Sequence, residues 1–134
     1  MEQKTYIYKK VIDIPIYFGK FVIVATNNMK KLDKATKLKT NKTNLYATTF
    51  WNMYDEDEGF FVAFNFWNKN KQINHGVIAH EAVHIADFIF ESRGVQRDWE
   101  NDEPYAYIVQ FLVDEIYKFI YENNLQKTLE KYEK

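Results

Sequence analysis

The pentapeptide His80-Glu81-Ala82-Val83-His84 constrains this chain most, because its spacing is useful only on a helix. On an α-helix, residues four apart lie one turn apart on the same face, so His80 and His84 can reach one metal ion. Glu81 follows the first histidine directly, where a carboxylate can act as a general base. The motif uses two of the three histidines in 134 residues. The pattern therefore predicts a helix with a metal site partway along it.

Composition favours a single globular domain that covers residues 1–134. Hydrophobic residues make up 46% of the chain and aromatic residues 18%, with four glycines and two prolines. Such a composition is typical of a folded chain, and this length is enough to bury a core without disulfides. There is no cysteine. Thiolate ligands are therefore excluded, and any Zn2+ must be held by histidine and carboxylate.

The balance of charge gives no reason to expect a nucleic-acid partner, since the formal net charge is −1. We interpret the lysines between Lys30 and Lys42 as a solvated helix face. No apolar run approaches the ~20 residues of a membrane span, and the first residues lack the apolar segment of a secretory signal. We therefore expect a cytoplasmic protein without a membrane partner, and the sequence leaves its oligomeric state open.

The first half of the chain predicts strands. Residues 6–26 are rich in Ile, Val, Tyr and Phe around a central Pro and Gly, which predicts two strands joined by a turn or bulge. Residues 45–54 and 60–67 flank an acidic segment, 55–58, that ends at Gly59, so we expect a hairpin with an exposed turn. Between these two pairs, residues 27–39 have an imperfect helical period and an asparagine cap, which predicts a short amphipathic helix.

The second half predicts two longer helices. The first begins between residues 71 and 74 and ends near Glu91, before Gly94. One of its faces carries the metal motif, and another can pack under the sheet through Ile78, Ala82, Ile85 and Ile89. The last helix is expected over residues 103–121, with Pro104 tolerated in the first turn. Its predicted buried side consists of Ala106, Val109, Val113 and Ile116.

A catalytic zinc site needs three protein ligands, so the motif predicts one more. His75 is the remaining histidine, but it lies five residues before His80 and points about 140° away from it on an ideal helix. We therefore expect a carboxylate, and Glu103 at the start of the following helix is our choice. Asp102 and Glu103 also suit a helix start without any metal, because carboxylates interact favourably with the helix dipole there.

This arrangement resembles the gluzincin metallopeptidases, in which HExxH is followed by a glutamate on the next helix. Here eighteen residues separate His84 from Glu103. The strand-rich half before the motif is similar to the zincin catalytic core, and the pattern resembles small HExxH proteins of phages and bacteria. The resemblance implies an α+β zincin-like fold: a small twisted mixed sheet, an early helix and two metal-bearing helices. It also implies that His80, His84 and Glu103 bind Zn2+ and that Glu81 is the general base.

The function that the resemblance implies is zinc-dependent hydrolysis of a peptide bond, with a peptide or protein as substrate. An edge strand would align the extended peptide, and residues 60–67 are our candidate for that strand. The alternative is a non-catalytic binding or assembly protein that keeps the same scaffold and its metal. The presence of Glu81 favours the enzyme, because a purely structural zinc gains nothing from a glutamate beside its first ligand.

Other residues near the motif are candidates for supporting roles. Longer gluzincins carry an acidic residue four positions after the glutamate ligand, where this chain has Tyr107. Asp87 lies on the metal face and is a candidate to orient a histidine ligand, with metal ligation or plain solvation as alternatives. Asp102 is a second candidate for such support. His75, Tyr105 and Tyr107 are candidates to donate a hydrogen bond to a substrate carbonyl, and packing is the alternative for each.

Overall fold

A computed structural model describes residues 4–31, 47–52, 59–68, 72–127 and 129. Its elements, in chain order, are β1 (Ile7–Asp13), β2 (Lys20–Thr26), a helix α1 that begins at Met29 and is described to residue 31, β3 (Ala47–Asn52), β4 (Gly59–Phe64), α2 (His75–Ser92) and α3 (Glu103–Glu122). The chain is therefore α+β, as the sequence predicts. None of the helices in these ranges is both long and apolar enough to cross a membrane.

The four strands form one mixed sheet in the order β1-β2-β4-β3. β1 pairs antiparallel with β2, β2 pairs parallel with β4, and β4 pairs antiparallel with β3. Both predicted strand pairs are thus confirmed. The acidic segment 55–58 that joins the second pair lies outside the described residues.

One strand has a different place from the one predicted. β4 lies inside the sheet, between β2 and β3, so the prediction that residues 60–67 form an edge is wrong. Five of the six residues of β4 are buried, with Phe61 half-buried. A strand covered on both faces has an unbroken apolar sequence and belongs in the interior of a sheet. In the described part of the chain, the edge beside β4 is β3.

The interior strands β2 and β4 are buried on both faces, whereas every second residue of β1 is exposed. Phe21, Ile23 and Ala25 alternate along β2 and join the large core beneath the helices. Val22 and Val24 point to the opposite face, in a small cluster with Met29 at the start of α1. Because successive side chains on a strand point to opposite faces, β2 has an almost continuous apolar sequence.

α2 has a defined start and a strongly one-sided surface. The Asn74 side-chain oxygen accepts a hydrogen bond of 2.8 Å from the Val77 amide, and the chain turns away after the helix through Gly94, whose φ is 67°. The helix packs against β3, β4 and α3. Its buried residues include the four predicted apolar positions: Ile78, Glu81, Ala82, Ile85, Ala86, Ile89 and Phe90. The helix and its core face are therefore confirmed.

α3 packs beside α2 in the opposite direction. Tyr117, late in α3, stacks on His75 at the start of α2, while Tyr105, early in α3, packs edge-on against Phe90 near the end of α2. The inward face consists of Tyr105, Ile108, Leu112, Ile116, Phe119 and Ile120.

The predicted buried face of α3 is largely wrong. Ala106 is exposed, and Val109 and Val113 are only half-buried; Ile116 is buried as predicted. Apolar residues cover a wide part of the surface of this helix, so the helical period in the sequence is compatible with either of two neighbouring buried faces. The larger side chains occupy the core because they remove more apolar surface from water. The real face is turned by about one residue, or 100°, from the predicted one.

The start of α1 also agrees with the sequence. The Asn28 side-chain oxygen accepts a hydrogen bond of 3.0 Å from the Lys31 amide, which caps the helix. The remainder of the predicted helix over residues 27–39 lies outside the described residues.

The asparagine cap of α2 gives a prediction for stability. Replacing Asn74 with Ala leaves the Val77 amide without its side-chain acceptor, and we expect a loss of about 1 kcal/mol in the free energy of unfolding. Urea unfolding measures it. The matched control is Asn101→Ala, because Asn101 lies just before α3 and is exposed. Equal stability losses in the two variants would contradict the capping role.

Candidate metal centre

His80 and His84 converge on the exposed side of α2. Their Nε2 atoms lie 3.1 Å apart, and their rings meet edge to face with centroids 4.7 Å apart. Two imidazole nitrogens on a tetrahedral Zn2+, each 2.0–2.1 Å from the ion, would be about 3.3 Å apart. The observed separation is close to that value. The pair is therefore arranged as two ligands of one ion would be, and both side chains are open to solvent.

Glu81 is buried beside this pair. It is 8% exposed and is the one buried charged residue in the part of the chain that the structure describes. Its carboxylate makes no hydrogen bond or ion pair with any described residue. Its oxygens still reach solvent, because among the described residues the fully buried side-chain oxygen or nitrogen without a hydrogen-bond partner is Gln126 Oε1. A water or a ligand beside the histidines can therefore contact this carboxylate.

Asp87 follows His84 by three residues, but its contact lies toward α3. The Tyr105 hydroxyl donates a hydrogen bond of 2.7 Å to Asp87 Oδ1. Burial, together with the hydrogen bond and the negative charge of Asp87, raises the pKa of Tyr105 to about 12, and the nearby Arg97 opposes the shift. Asp87 has no described contact with an imidazole. Its role in orienting a histidine stays a prediction.

The Arg97 guanidinium extends this cluster into the loop between the helices. It lies over the Tyr105 ring at 4.0 Å and over the Trp99 ring at 4.4 Å. Such cation–π contacts favour a fixed position for the ring. No sequence pattern predicts this cluster, because it depends on the path of the loop that brings α3 beside α2. The nearest signal in the sequence is that Arg97, Trp99 and Tyr105 lie close together around this loop.

The third histidine, His75, contacts Tyr117 on α3, whereas His80 and His84 contact each other. His75 Nδ1 hydrogen-bonds the Tyr117 hydroxyl, and the two rings stack with centroids 5.6 Å apart. Of the three predicted carbonyl donors, His75 and Tyr105 thus already have partners on the other helix. Tyr107 is exposed.

Glu103 opens α3 and lies away from the two histidines. It precedes Tyr105, which faces α2, by two residues and therefore points about 200° around the helix axis from it. Glu103 lines a pocket beside the β1–β2 turn. Asp102 is the N-cap residue of α3, and its side chain makes no capping bond. Within the described ranges, no three His, Asp or Glu side chains are grouped so as to hold a metal. Glu103 as a ligand stays a prediction.

The Tyr105 hydroxyl provides a test that depends on pH. Tyr105→Phe should lower the free energy of unfolding by about 1.5 to 3 kcal/mol, the range for a hydrogen bond to a charged group. The pKa of about 12 lies above the ordinary 10.0. Folding therefore favours the protonated phenol of Tyr105. Its contribution to the free energy of unfolding is complete below pH 10 and is lost between pH 10 and 12.

The measurement is urea unfolding of both proteins at pH 8 and at several values above pH 10. We expect the stability difference between wild type and Tyr105→Phe to shrink as the pH rises. Tyr121→Phe is the control, because Tyr121 is an exposed tyrosine on the same helix. A difference that does not change with pH would contradict the raised pKa.

No family model matches the chain, and no curated protein or solved structure matches it. The comparisons therefore assign neither a family nor an activity. The candidate site rests on the geometry of α2 itself: two converging imidazoles on its open face and the Glu81 carboxylate beside them.

Proposed function

We propose that this protein is a zinc-dependent hydrolase of peptide bonds. The observation that carries the proposal is the 3.1 Å approach of the His80 and His84 Nε2 atoms on the open face of α2. The buried Glu81 carboxylate beside them supports it, because hydrolysis requires a base at that place.

The available donors fit zinc better than other common ions. The structure brings two imidazoles together, and the proposed Glu103 carboxylate would complete a ligand set of the kind found in catalytic zinc sites, with no thiolate in the chain. When bound, Zn2+ supplies a Lewis acid that lowers the pKa of water and polarises a carbonyl. His80 and His84 would hold it as neutral imidazoles.

Glu81 performs the proton transfers in this proposal. Its carboxylate accepts a proton from the water that attacks the scissile carbonyl carbon, and then delivers that proton to the leaving amine.

The peptide substrate is proposed to pair with β3. This strand is the edge of the sheet on the side of α2, and it packs against that helix. An extended peptide can add to such an edge through main-chain hydrogen bonds, which are independent of sequence. The substrate strand would then lie on the side of the sheet that is next to the motif helix.

Glu103 is the proposed third ligand, as the resemblance to gluzincins implies. Its side chain is exposed at the first turn of α3, and it makes no hydrogen bond or ion pair with a described residue. Because Glu103 points about 200° around the helix axis from Tyr105, which faces α2, the proposal requires the first turn of α3 to rearrange so that this carboxylate reaches the histidines when the ion binds. Metal binding should therefore change the environment of the first turn of α3, besides that of the histidines.

The first experiment measures zinc content and cleavage of a proteome-derived peptide library for wild type, Glu81→Gln and His80→Ala/His84→Ala. We expect about one zinc per chain in wild type and in Glu81→Gln, and none in the double variant. Hydrolysis by Glu81→Gln should fall at least ~100-fold, the usual contribution of a general base.

The outcomes separate enzyme from scaffold. Equal turnover by wild type and Glu81→Gln would remove Glu81 from the mechanism. Zinc that binds through the histidines without any cleavage would support the non-catalytic alternative, a binding or assembly protein. Undiminished zinc in a folded double variant would overturn the site altogether.

The second experiment tests the third ligand by zinc titration of Glu103→Gln and Asp102→Asn. Loss of an anionic ligand should weaken zinc binding beyond the ~10–100-fold that a supporting residue contributes. We expect that loss for Glu103→Gln and little change for Asp102→Asn, which removes the neighbouring charge at the same helix start. Asp87→Asn is the further comparison: the largest loss there would transfer the ligand role to Asp87.

A further inference from the structure

The turn between β1 and β2 presents large apolar side chains to solvent. Ile16 is 83% exposed and Phe18 is 80% exposed. Isolated exposed apolar residues are common on proteins and need no explanation. Here, however, the two lie two residues apart in one turn, and Ile16 also lines a pocket, so they form a local apolar surface of the kind that marks interaction sites.

The backbone of this turn is held in an unfavourable conformation. Ile16 has a φ of 68° and Phe18 a φ of 63°, in the left-handed region that side chains rarely adopt. A positive φ is especially uncommon for a β-branched residue such as Ile16. A 2.7 Å hydrogen bond from the Tyr17 amide to the Pro15 carbonyl closes a tight turn with Ile16 at its centre. In this conformation both apolar side chains are exposed to solvent.

The end of α2 stabilises this conformation. The Arg93 guanidinium donates hydrogen bonds to the carbonyls of Tyr17 and Phe18, the second at 3.0 Å. The Ile14 amide donates to the Gly19 carbonyl at 3.0 Å and closes the base of the loop. The turn is therefore a fixed surface, and binding to it costs little ordering of the backbone.

A pocket of about 400 Å3 lies between this turn and the first turns of α3. Its volume is in the range of small-ligand and side-chain pockets. The lining is mostly apolar and includes no Lys, Arg or His; it is formed by Pro15, Ile16, Tyr17, Asn101, Glu103, Pro104, Tyr107, Ile108 and Phe111. The pocket can accept one bulky apolar side chain and part of its backbone.

The exposed charges at the start of α3, beside the pocket, are negative. The two nearby arginines are engaged within the protein: Arg93 by the carbonyls of the turn and Arg97 by the Trp99 and Tyr105 rings. Glu100, Asp102 and Glu103 are consecutive or nearly so in sequence and exposed, and none makes an ion pair with a described residue. Unpaired carboxylates beside an apolar pocket favour a partner with the opposite charge, because complementary charges raise the association rate and exclude acidic partners. The occupant should therefore combine a bulky apolar residue with flanking basic residues.

We propose that this pocket docks a basic segment of a partner protein, with an aromatic or large aliphatic side chain inserted between the β1–β2 turn and α3. The surface shares Glu103 with the proposed metal site, but the inference does not depend on metal binding or hydrolysis and is tested on metal-free protein. Affinity comes from the buried apolar side chain, and specificity comes from the carboxylates of residues 100–103.

The test uses fluorescence anisotropy with three labelled nine-residue peptides and metal-free protein in a chelator. One peptide has a central Phe flanked by lysines, the second has the same Phe flanked by glutamates, and the third replaces Phe with Ala between lysines. We expect the first to bind at least ~10-fold more tightly than either of the others. Binding of the first peptide should also weaken as salt is raised, because exposed charges are screened.

Two variants locate the binding on the protein. Ile16→Asn removes the apolar side chain, and asparagine tolerates the left-handed backbone, so the turn should keep its shape. Tyr107→Ala removes a pocket wall that is 65% exposed, and Tyr121→Ala is the matched control because Tyr121 is 61% exposed on the same helix. We expect at least ~10-fold weaker binding for the first two variants and no change for the third.

Three outcomes would overturn the proposal. Equal binding of all three peptides would show no preference for basic apolar segments. Unchanged binding in both Ile16→Asn and Tyr107→Ala, with the fold intact by circular dichroism, would place the peptide elsewhere. Concentration-dependent dimerisation of wild type that Ile16→Asn abolishes would assign the surface to a second copy of this chain.

Discussion

The burial of one face of α2 is the constraint on which the rest of the structure depends. The helix packs against β3, β4 and α3, and this packing fixes its rotation about its own axis. A rotation by one residue, about 100°, would expose part of the core face. With the rotation fixed, Glu81 is carried inward while His80 and His84 remain on the open side. The apolar packing that stabilises the domain also decides which motif residues meet solvent.

Local patterns in the sequence predict most of the elements, because each pattern reflects interactions over a few residues. The helical period of α2 and its asparagine cap are of this kind, and so are the turn signals of the two strand pairs. The histidine pair is also local, since four residues on one helix determine it. Its geometry could therefore be predicted as soon as the helix was.

The features that the sequence did not predict depend on contacts between distant segments. The interior place of β4 follows from its pairing with β2, which no local pattern encodes. The rotation of α3 follows from which of two apolar faces packs better in a core formed by other elements. The contact of Tyr105 with Asp87 depends in turn on that rotation. The position of Glu103 relative to the histidines likewise depends on contacts between distant segments, because the loop and the rotation of α3 determine it.

The order of the strands has a consequence for the newly made chain. β2 pairs on one side with β1 and on the other side with β4. In the second pair, Lys20 is opposite Gly59, which lies 39 residues later in the sequence. Two-stranded hairpins are marginally stable in water, and an open strand edge with apolar side chains is a template for aggregation. During synthesis, the apolar edge of the β1–β2 hairpin is therefore covered only after β4 has been made. A chain that stops before residue 59 would keep that edge open, so premature termination in this interval would produce an aggregation-prone fragment.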